Sequence, residues 1–188
     1  MSVFLTVFVS LAASHAPVPS YHPIDEAVFV DTLRTYAKQT HRKLTHEEAV
    51  SLTRQFDHAG AMADVDPLFF AGLTYAESRW RNRAIGDGGN SRGIWQMSVS
   101  CVRAVMGRVT KREALEVIAN KHARTWVAGA FWRRLLRKWS RREAATVYNC
   151  GPIRCKQSNG TQRKTTPAVR GYFKHFRRML AIMGEFSS

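Results

Sequence analysis

The stretch Asp66-Pro-Leu-Phe-Phe-Ala-Gly-Leu-Thr-Tyr-Ala-Glu77 constrains this chain more than any other. Asp66 before Pro67 is a helix start. An aspartate at that place accepts from an N–H of the first turn, and a proline at the first helical position gives up only a donor that has no partner there. From Leu68 to Ala76 the residues are apolar or small on nearly every side. A helix without a polar face is stable in water only when other elements cover it all round. The sequence therefore predicts a buried central helix that ends at Glu77, with the rest of the chain folded about it.

That rest also reads as helices. Asp25 to Gln39 places Ala27, Val28, Val30, Leu33, Tyr36 and Ala37 at 3–4 spacing, the period of an amphipathic helix. Thr45 with Glu48 is a capping box, and the helix it opens, carrying Ala49, Val50, Leu52 and Phe56, is expected to fade near Gly60. Thr110 to Leu136 is again helical, and a last helix is expected over about Ala168 to Met183. Between them, Gly86 to Gly93 holds four glycines with Asp87, Asn90 and Ser91, a tight loop with positive-φ positions. No G-K-[ST] follows it and no strand precedes it, so it is not a phosphate loop. No internal repeat and no convincing strand is present. The fold class is mainly α, in one domain over 25–188.

Composition narrows the function classes. The 188 residues are 45% hydrophobic, which excludes disorder over most of the chain. No run of about 18 apolar residues exists, which excludes a bundle of membrane-spanning helices. Charge is placed unevenly: residues 1–88 carry 8 basic and 10 acidic side chains, residues 89–188 carry 21 and 4. The basic half is either a solvated face or a surface for an anionic partner. Nucleic acid, an anionic membrane and the bacterial cell wall all fit that description. At the amino terminus, Val3 to Ala13 is an apolar run followed by small residues, so 1–16 reads as an export signal, although no Lys or Arg precedes the run. The alternative is a first element of the domain. Pro17, Pro19 and Pro23 make 17–24 a stiff spacer.

Glu77 is the informative position. A carboxylate in the last turn of a buried helix sits at the negative end of the helix dipole. Burial and dipole together favour its protonated form, which a general acid near neutral pH requires. The competing reading is an exposed helix-end glutamate paired with Arg79 or Arg81.

Four segments in order then decide. Asp66 to Trp80, with its Glu77-Ser78, resembles the helix leading into the catalytic Glu-Ser of the soluble lytic transglycosylase and goose-type lysozyme superfamily. Gly93-Ile-Trp-Gln96 is similar to that family's G-L-M-Q motif, and Ala145-Thr-Val-Tyr148-Asn149-Cys-Gly151 to its A-x-Y-N-x-G segment. Thr166-Pro-Ala-Val-Arg-Gly-Tyr172-Phe173 resembles the start of its closing helix. The resemblance covers roughly Thr45 to Met183. Two departures stand out. Glu77 and Gln96 are 19 residues apart, one more than in common transglycosylases, and the position where goose-type lysozymes carry a further Asp is Ser98.

The resemblance implies a lysozyme-like all-α domain that cleaves the β-1,4 bond between N-acetylmuramic acid and N-acetylglucosamine in peptidoglycan, with a 1,6-anhydro product. Glu77 would be acid and then base. Ser78 would steady the helix end, Ser91 and Gln96 would hydrogen-bond the glycan, Tyr148 would hold Glu77 or the sugar, and Asn149 would fix substrate or loop. Asp87 is either a second carboxylate or a loop-holding residue. As a second carboxylate it would activate water in a goose-type-like lysozyme reaction. Trp95 is a candidate for stacking on a sugar face. A basic helical nucleic-acid binder is the reading from another class, against which stands the lack of any helix-turn-helix, zinc-knuckle or aromatic RNA-binding signature.

No metal and no cofactor is expected, since the seven histidines lack ligand spacing. Partners implied are glycan strands, an anionic envelope surface, and secretion-system or phage components, with no specific nucleic acid. The location is exported, periplasmic or extracellular, or else phage-associated. In an exported chain Cys150 would bridge Cys155, or Cys101 either of them.

Overall fold

The structure, a computed structural model, describes residues 20–150 and 167–186. Eight α-helices and a small antiparallel sheet make up the described fold. Helix α1 (Glu26–Gln39) starts where Asp25 accepts from the N–H groups of Ala27 and Val28. Helix α2 (His46–Ala63) carries the capping box read from the sequence, with Glu48 N–H on the Thr45 hydroxyl and Thr45 N–H on Glu48, each at 3.1 Å. It runs past Gly60 and stops at Asp64 in the left-handed conformation. Glycine does not break α2 because the chain packs against it there: a Cβ on Gly60 would lie 2.7 Å from the Val65 carbonyl.

Helix α3 (Pro67–Ser78) is the central helix. Asp66 accepts from Leu68 N–H at 2.8 Å, and every residue from Pro67 to Tyr75 is buried. Helices α2 and α8 (Pro167–Phe186) pack directly along it, α8 most extensively. The α3–α8 crossing is close because Gly72 has no side chain: a Cβ there would lie 2.7 Å from Phe176 N and 2.9 Å from the Tyr172 carbonyl.

After α3 the chain reverses through Arg79 and Trp80, both at positive φ. Arg42, arriving from the α1–α2 connection, donates to the carbonyls of both residues at 2.6 and 3.2 Å. Trp80 is buried and donates to the Ala71 carbonyl. The sheet follows: β1 (Ile85–Gly86), β2 (Ser91–Arg92) and β3 (Met97–Ser98), with Gly86 opposite Ser91 and Ser91 opposite Ser98. Strands of two residues leave no period to read, so nothing in the residue pattern marks them.

Helix α4 (Val99–Met106) was likewise not expected, although Ser98 caps it and Gly107 ends it at positive φ. The helical run expected over Thr110–Leu136 is two helices, α5 (Lys111–Ala119) and α6 (Lys121–Leu136). They meet at Asn120, whose extended backbone stops one while its side chain accepts from His122 and Ala123 N–H to start the next. Helix α7 (Arg141–Cys150) opens on a Ser140–Glu143 capping box.

The buried residues form one cluster reaching from Phe29 to Ile182, centred on Phe69, Phe70, Trp95 and Trp132. Arg133, Arg134, Arg137 and Lys138 are exposed, as their outer-face placement requires. Of the spacer expected over 17–24, residues 20–24 are described. Tyr21 ties them to α2 by donating its hydroxyl to Asp57 and its N–H to Asp64. Residues 1–16, read as an export signal, lie outside the described residues. No described helix is long and apolar enough to cross a membrane.

Candidate active site

Glu77 stands in the last turn of α3, partly buried, where the apolar run gives out. Its Oε1 accepts from the hydroxyl of Tyr172, on the first turns of α8. Asn149, near the end of α7, donates its side-chain amide to the same Tyr172 oxygen at 3.2 Å. Three helices thus converge on one carboxylate. The Tyr172 hydroxyl is driven far above the usual phenol range, first by burial, then by the Glu77 charge and the hydrogen bond to it. It stays protonated and donates at any physiological pH.

The alternative pairing of Glu77 with the arginines after it is not realised. Arg81 donates instead to the Ser78 carbonyl at 3.1 Å, and neither Arg79 nor Arg81 forms an ion pair with Glu77.

Ser78 is buried, and its hydroxyl lies 3.0 Å from the carbonyls of both Thr74 and Ile94. One proton serves one of them at a time. Either way the side chain ties the end of α3 to the Gly93–Gln96 turn and holds that turn beside Glu77. This is a contact inside the protein, between the helix end and the turn.

Tyr148 does not reach Glu77. Its hydroxyl donates to the Trp95 carbonyl at 2.7 Å, and the hydroxyl that holds Glu77 is that of Tyr172. Burial first, then the nearby Glu77 charge, keeps the Tyr148 hydroxyl well above its ordinary pKa. It therefore anchors the turn that carries Gln96. Tyr172 lies in the closing-helix segment that carries the resemblance, where nothing in the residues marks it as a partner of Glu77. Its spacing from Glu77 along the chain carries no signal, and only the α3–α8 crossing brings the two together.

Gln96 sits at φ +44°, with its side-chain amide donating to the Gly93 carbonyl at 2.8 Å. Its Oε1 fills the place a Gly86 side chain would take, 2.2 Å from an ideal Cβ there. The loop glycines are thus partly explained: Gly86 makes room for Gln96, and Gly93 takes a positive φ. Ser91 is buried within β2, opposite Gly86 and Ser98. Asp87 opens the 3-10 turn Asp87–Gly89, but its side chain lies outside the described set, as do Cys155 and the Cys150 side chain.

Trp95 is a correction. It is fully buried, edge-on to Phe56 and Phe70, and stacks on no ligand. A tryptophan beside a site motif is here the core under it. Cys101 carries a free, partly buried thiol beside Ser98.

Among the described residues no group of three or more His, Cys, Asp or Glu side chains is placed to hold a metal ion. A groove of about 700 Å³ between α2 and α6, with Val50, His58 and Trp126 in its lining, contains none of the candidate site residues.

Fold and site together define a lysozyme-like all-α domain whose one central carboxylate is held at the end of a buried helix. The family model of the transglycosylase SLT domain matches residues 54–169. The chain belongs to that family, which acts on peptidoglycan. No curated protein and no solved structure matches it.

Proposed function

We propose that this protein is a lytic transglycosylase that cleaves the β-1,4 bond between N-acetylmuramic acid and N-acetylglucosamine and leaves a 1,6-anhydro end. The observation that supports this reading is the Glu77 carboxylate with Oε1 fixed by Tyr172 and Tyr172 in turn by Asn149.

Protonated Glu77 gives its proton to the glycosidic oxygen as the bond from that oxygen to C1 of the muramic acid breaks. The N-acetylglucosamine side leaves as an alcohol with that proton. Positive charge builds on C1 and the ring oxygen. The Glu77 carboxylate then takes the proton from the C6 hydroxyl of the same ring, and the C6 oxygen bonds to C1. Glu77 is protonated again and no water is consumed. Attack by a group already on the ring carries a high effective molarity, which lets Glu77 serve as acid and then as base.

Tyr172 supports both halves. It donates to Oε1 in either protonation state, so the proton in play belongs to Oε2 and its direction is set. Gln96, presented by the turn that Ser78 and Tyr148 hold, is the candidate donor and acceptor toward the glycan, and Asn149 fixes the Tyr172 ring. The exposed cations Arg133, Arg134, Arg137 and Lys138 suit attachment to anionic wall polymers, an attraction that weakens as salt rises. Action on the wall requires export, which the apolar segment at 3–13 would direct.

The test is digestion of murein sacculi with product masses read by mass spectrometry. Anhydro-muropeptides are expected. Reducing ends that have gained a water would replace this reading with the lysozyme one, in which Asp87 activates water. Glu77→Gln should lower release on the order of 10²–10⁴-fold with the fold intact. Unchanged release would remove Glu77 from its role.

A further inference from the structure

The loop that presents Gln96 has a second face. Behind β1 and β2, against α5, lies a pocket of about 320 Å³ with apolar walls from Ile85, Leu115 and Ile118. Ile85 is 66% exposed there, a large aliphatic side chain left in water at the pocket's edge. Arg83, Arg92 and Arg124 also line it, and among the described residues no acidic side chain does.

Arg124 is the unusual one. It enters from α6 and is 5% exposed. One terminal nitrogen donates to the Ile118 carbonyl and the other to the Asn82 side chain, each at 3.1 Å, while its buried Nε has no partner. All of its partners are neutral. Gly93 is glycine partly for this reason, since a Cβ there would lie 2.6 Å from the guanidinium. A buried cation without a counter-charge costs several kcal/mol, and the fold retains it. Arg83 and Arg92 are exposed above it and form no ion pair with a described residue. Three guanidinium groups and an aliphatic wall complement an anion that carries a small apolar group. A carboxylate matches the planar forks of the two rim arginines. A bare phosphate would match the charge and leave the Ile85–Leu115 wall unused.

We propose that this pocket binds a carboxylate bearing a short aliphatic side chain, the chemistry of the alanine-terminated peptide stems that hang from the glycan. The pocket shares a wall with the candidate active site: Gln96 donates to the Gly93 carbonyl, and Gly93 N–H donates to Ala84, both residues of the pocket lining. A stem held here steadies the turn that offers Gln96 to the glycan. The stem assignment rests on the peptidoglycan reading above; the carboxylate preference does not.

The test uses the whole protein and three probes: acetyl-D-alanyl-D-alanine, its C-terminal carboxamide, and inorganic phosphate. Amide chemical shifts of Asn82, Gly93 and Ile118 are followed on titration. Saturable shifts with the acid are expected, with at least about tenfold weaker binding for the carboxamide. The Arg83→Gln/Arg92→Gln double variant should weaken the acid about tenfold at an unchanged melting temperature. These rim positions are used because Arg124→Gln would mix binding with folding. Equal binding of acid and carboxamide, shifts confined to other residues, or phosphate binding tighter than the acid would overturn the pocket.

For the stem, the double variant should raise KM about tenfold on stem-bearing strands and leave amidase-stripped strands unchanged. Equal effects on both would overturn that assignment. A protein that cleaves neither substrate would lose the stem and the peptidoglycan reading together, while the titration still decides the carboxylate pocket.

Discussion

The Tyr172 hydroxyl donates to Oε1 of Glu77 across 95 residues of sequence. The contact depends on two features of α3: the helix ends in a carboxylate, and it carries a glycine at position 72 that lets α8 come close enough to deliver a phenol. Glu77 is therefore neither a surface acid nor an isolated buried one. It keeps one oxygen on a donor that cannot ionise near neutral pH, which fixes where the other oxygen points.

Tyr172→Phe removes that donor and leaves the ring in the core. A hydrogen bond to a charged group is worth about 1.5–3 kcal/mol, so murein cleavage should fall roughly 10–100-fold with a small change in melting temperature. A loss confined to Tyr148→Phe instead would show that the wrong phenol has been assigned to Glu77.

Gly72→Ala probes the crossing. The added methyl meets backbone on α8, which yields less than a flexible side-chain end would. A loss of about 1–3 kcal/mol in urea unfolding is expected. Activity should drop beyond the unfolded fraction, because α8 carries Tyr172 away from Glu77. An unchanged urea midpoint would mean that the helices are not this close.

Gly86→Ala separates binding from stability. The new Cβ would displace only the far end of the Gln96 side chain. Unfolding free energy should change by less than about 1 kcal/mol, while KM for glycan rises several-fold, roughly the loss of one hydrogen bond. Equal KM values would remove Gln96 from glycan recognition.

Stability should fall at both ends of the pH range, and the Tyr36–His175 pair contributes to both limbs, joined on the alkaline side by the buried Tyr148 and Tyr172 hydroxyls. Tyr36 and His175 hydrogen-bond between α1 and α8, with Tyr75 and Arg178 packed around them. Burial, then Lys174 and Arg178, lowers the His175 pKa. The unfolded chain therefore takes up this proton first as pH drops through about 6.5, and stability decreases toward acid. Burial pushes Tyr36 up to about 12. The unfolded chain then loses its phenolic proton first above about pH 10, and stability decreases toward alkali. Urea midpoints should be level from pH 7 to 9 and fall on either side. His175→Gln should flatten the acid limb; an identical limb in that variant would assign it to other groups.

What the residues alone determine is local. The capping boxes at Thr45 and Thr110, the Asp66-Pro67 start and the all-round apolar face of α3 act within a turn or two, so they can be read in order along the chain. Because an unrelieved apolar helix must be covered, the same stretch fixed both the class of fold and the place of Glu77. Strands of two residues and the helix break at Asn120 lie below the length at which periodicity speaks. Trp95 faces the core and Tyr148 donates to the Trp95 carbonyl for a related reason. A side chain next to a motif faces the core or the groove according to how the helices cross, and the crossing is set by Gly72 and Phe176, far from either. The partner of Glu77, the burial of Arg124 and the room kept for Gln96 were decided only in three dimensions. Each is a contact between side chains or backbone whose closeness comes from packing, and packing distance has no counterpart in chain order.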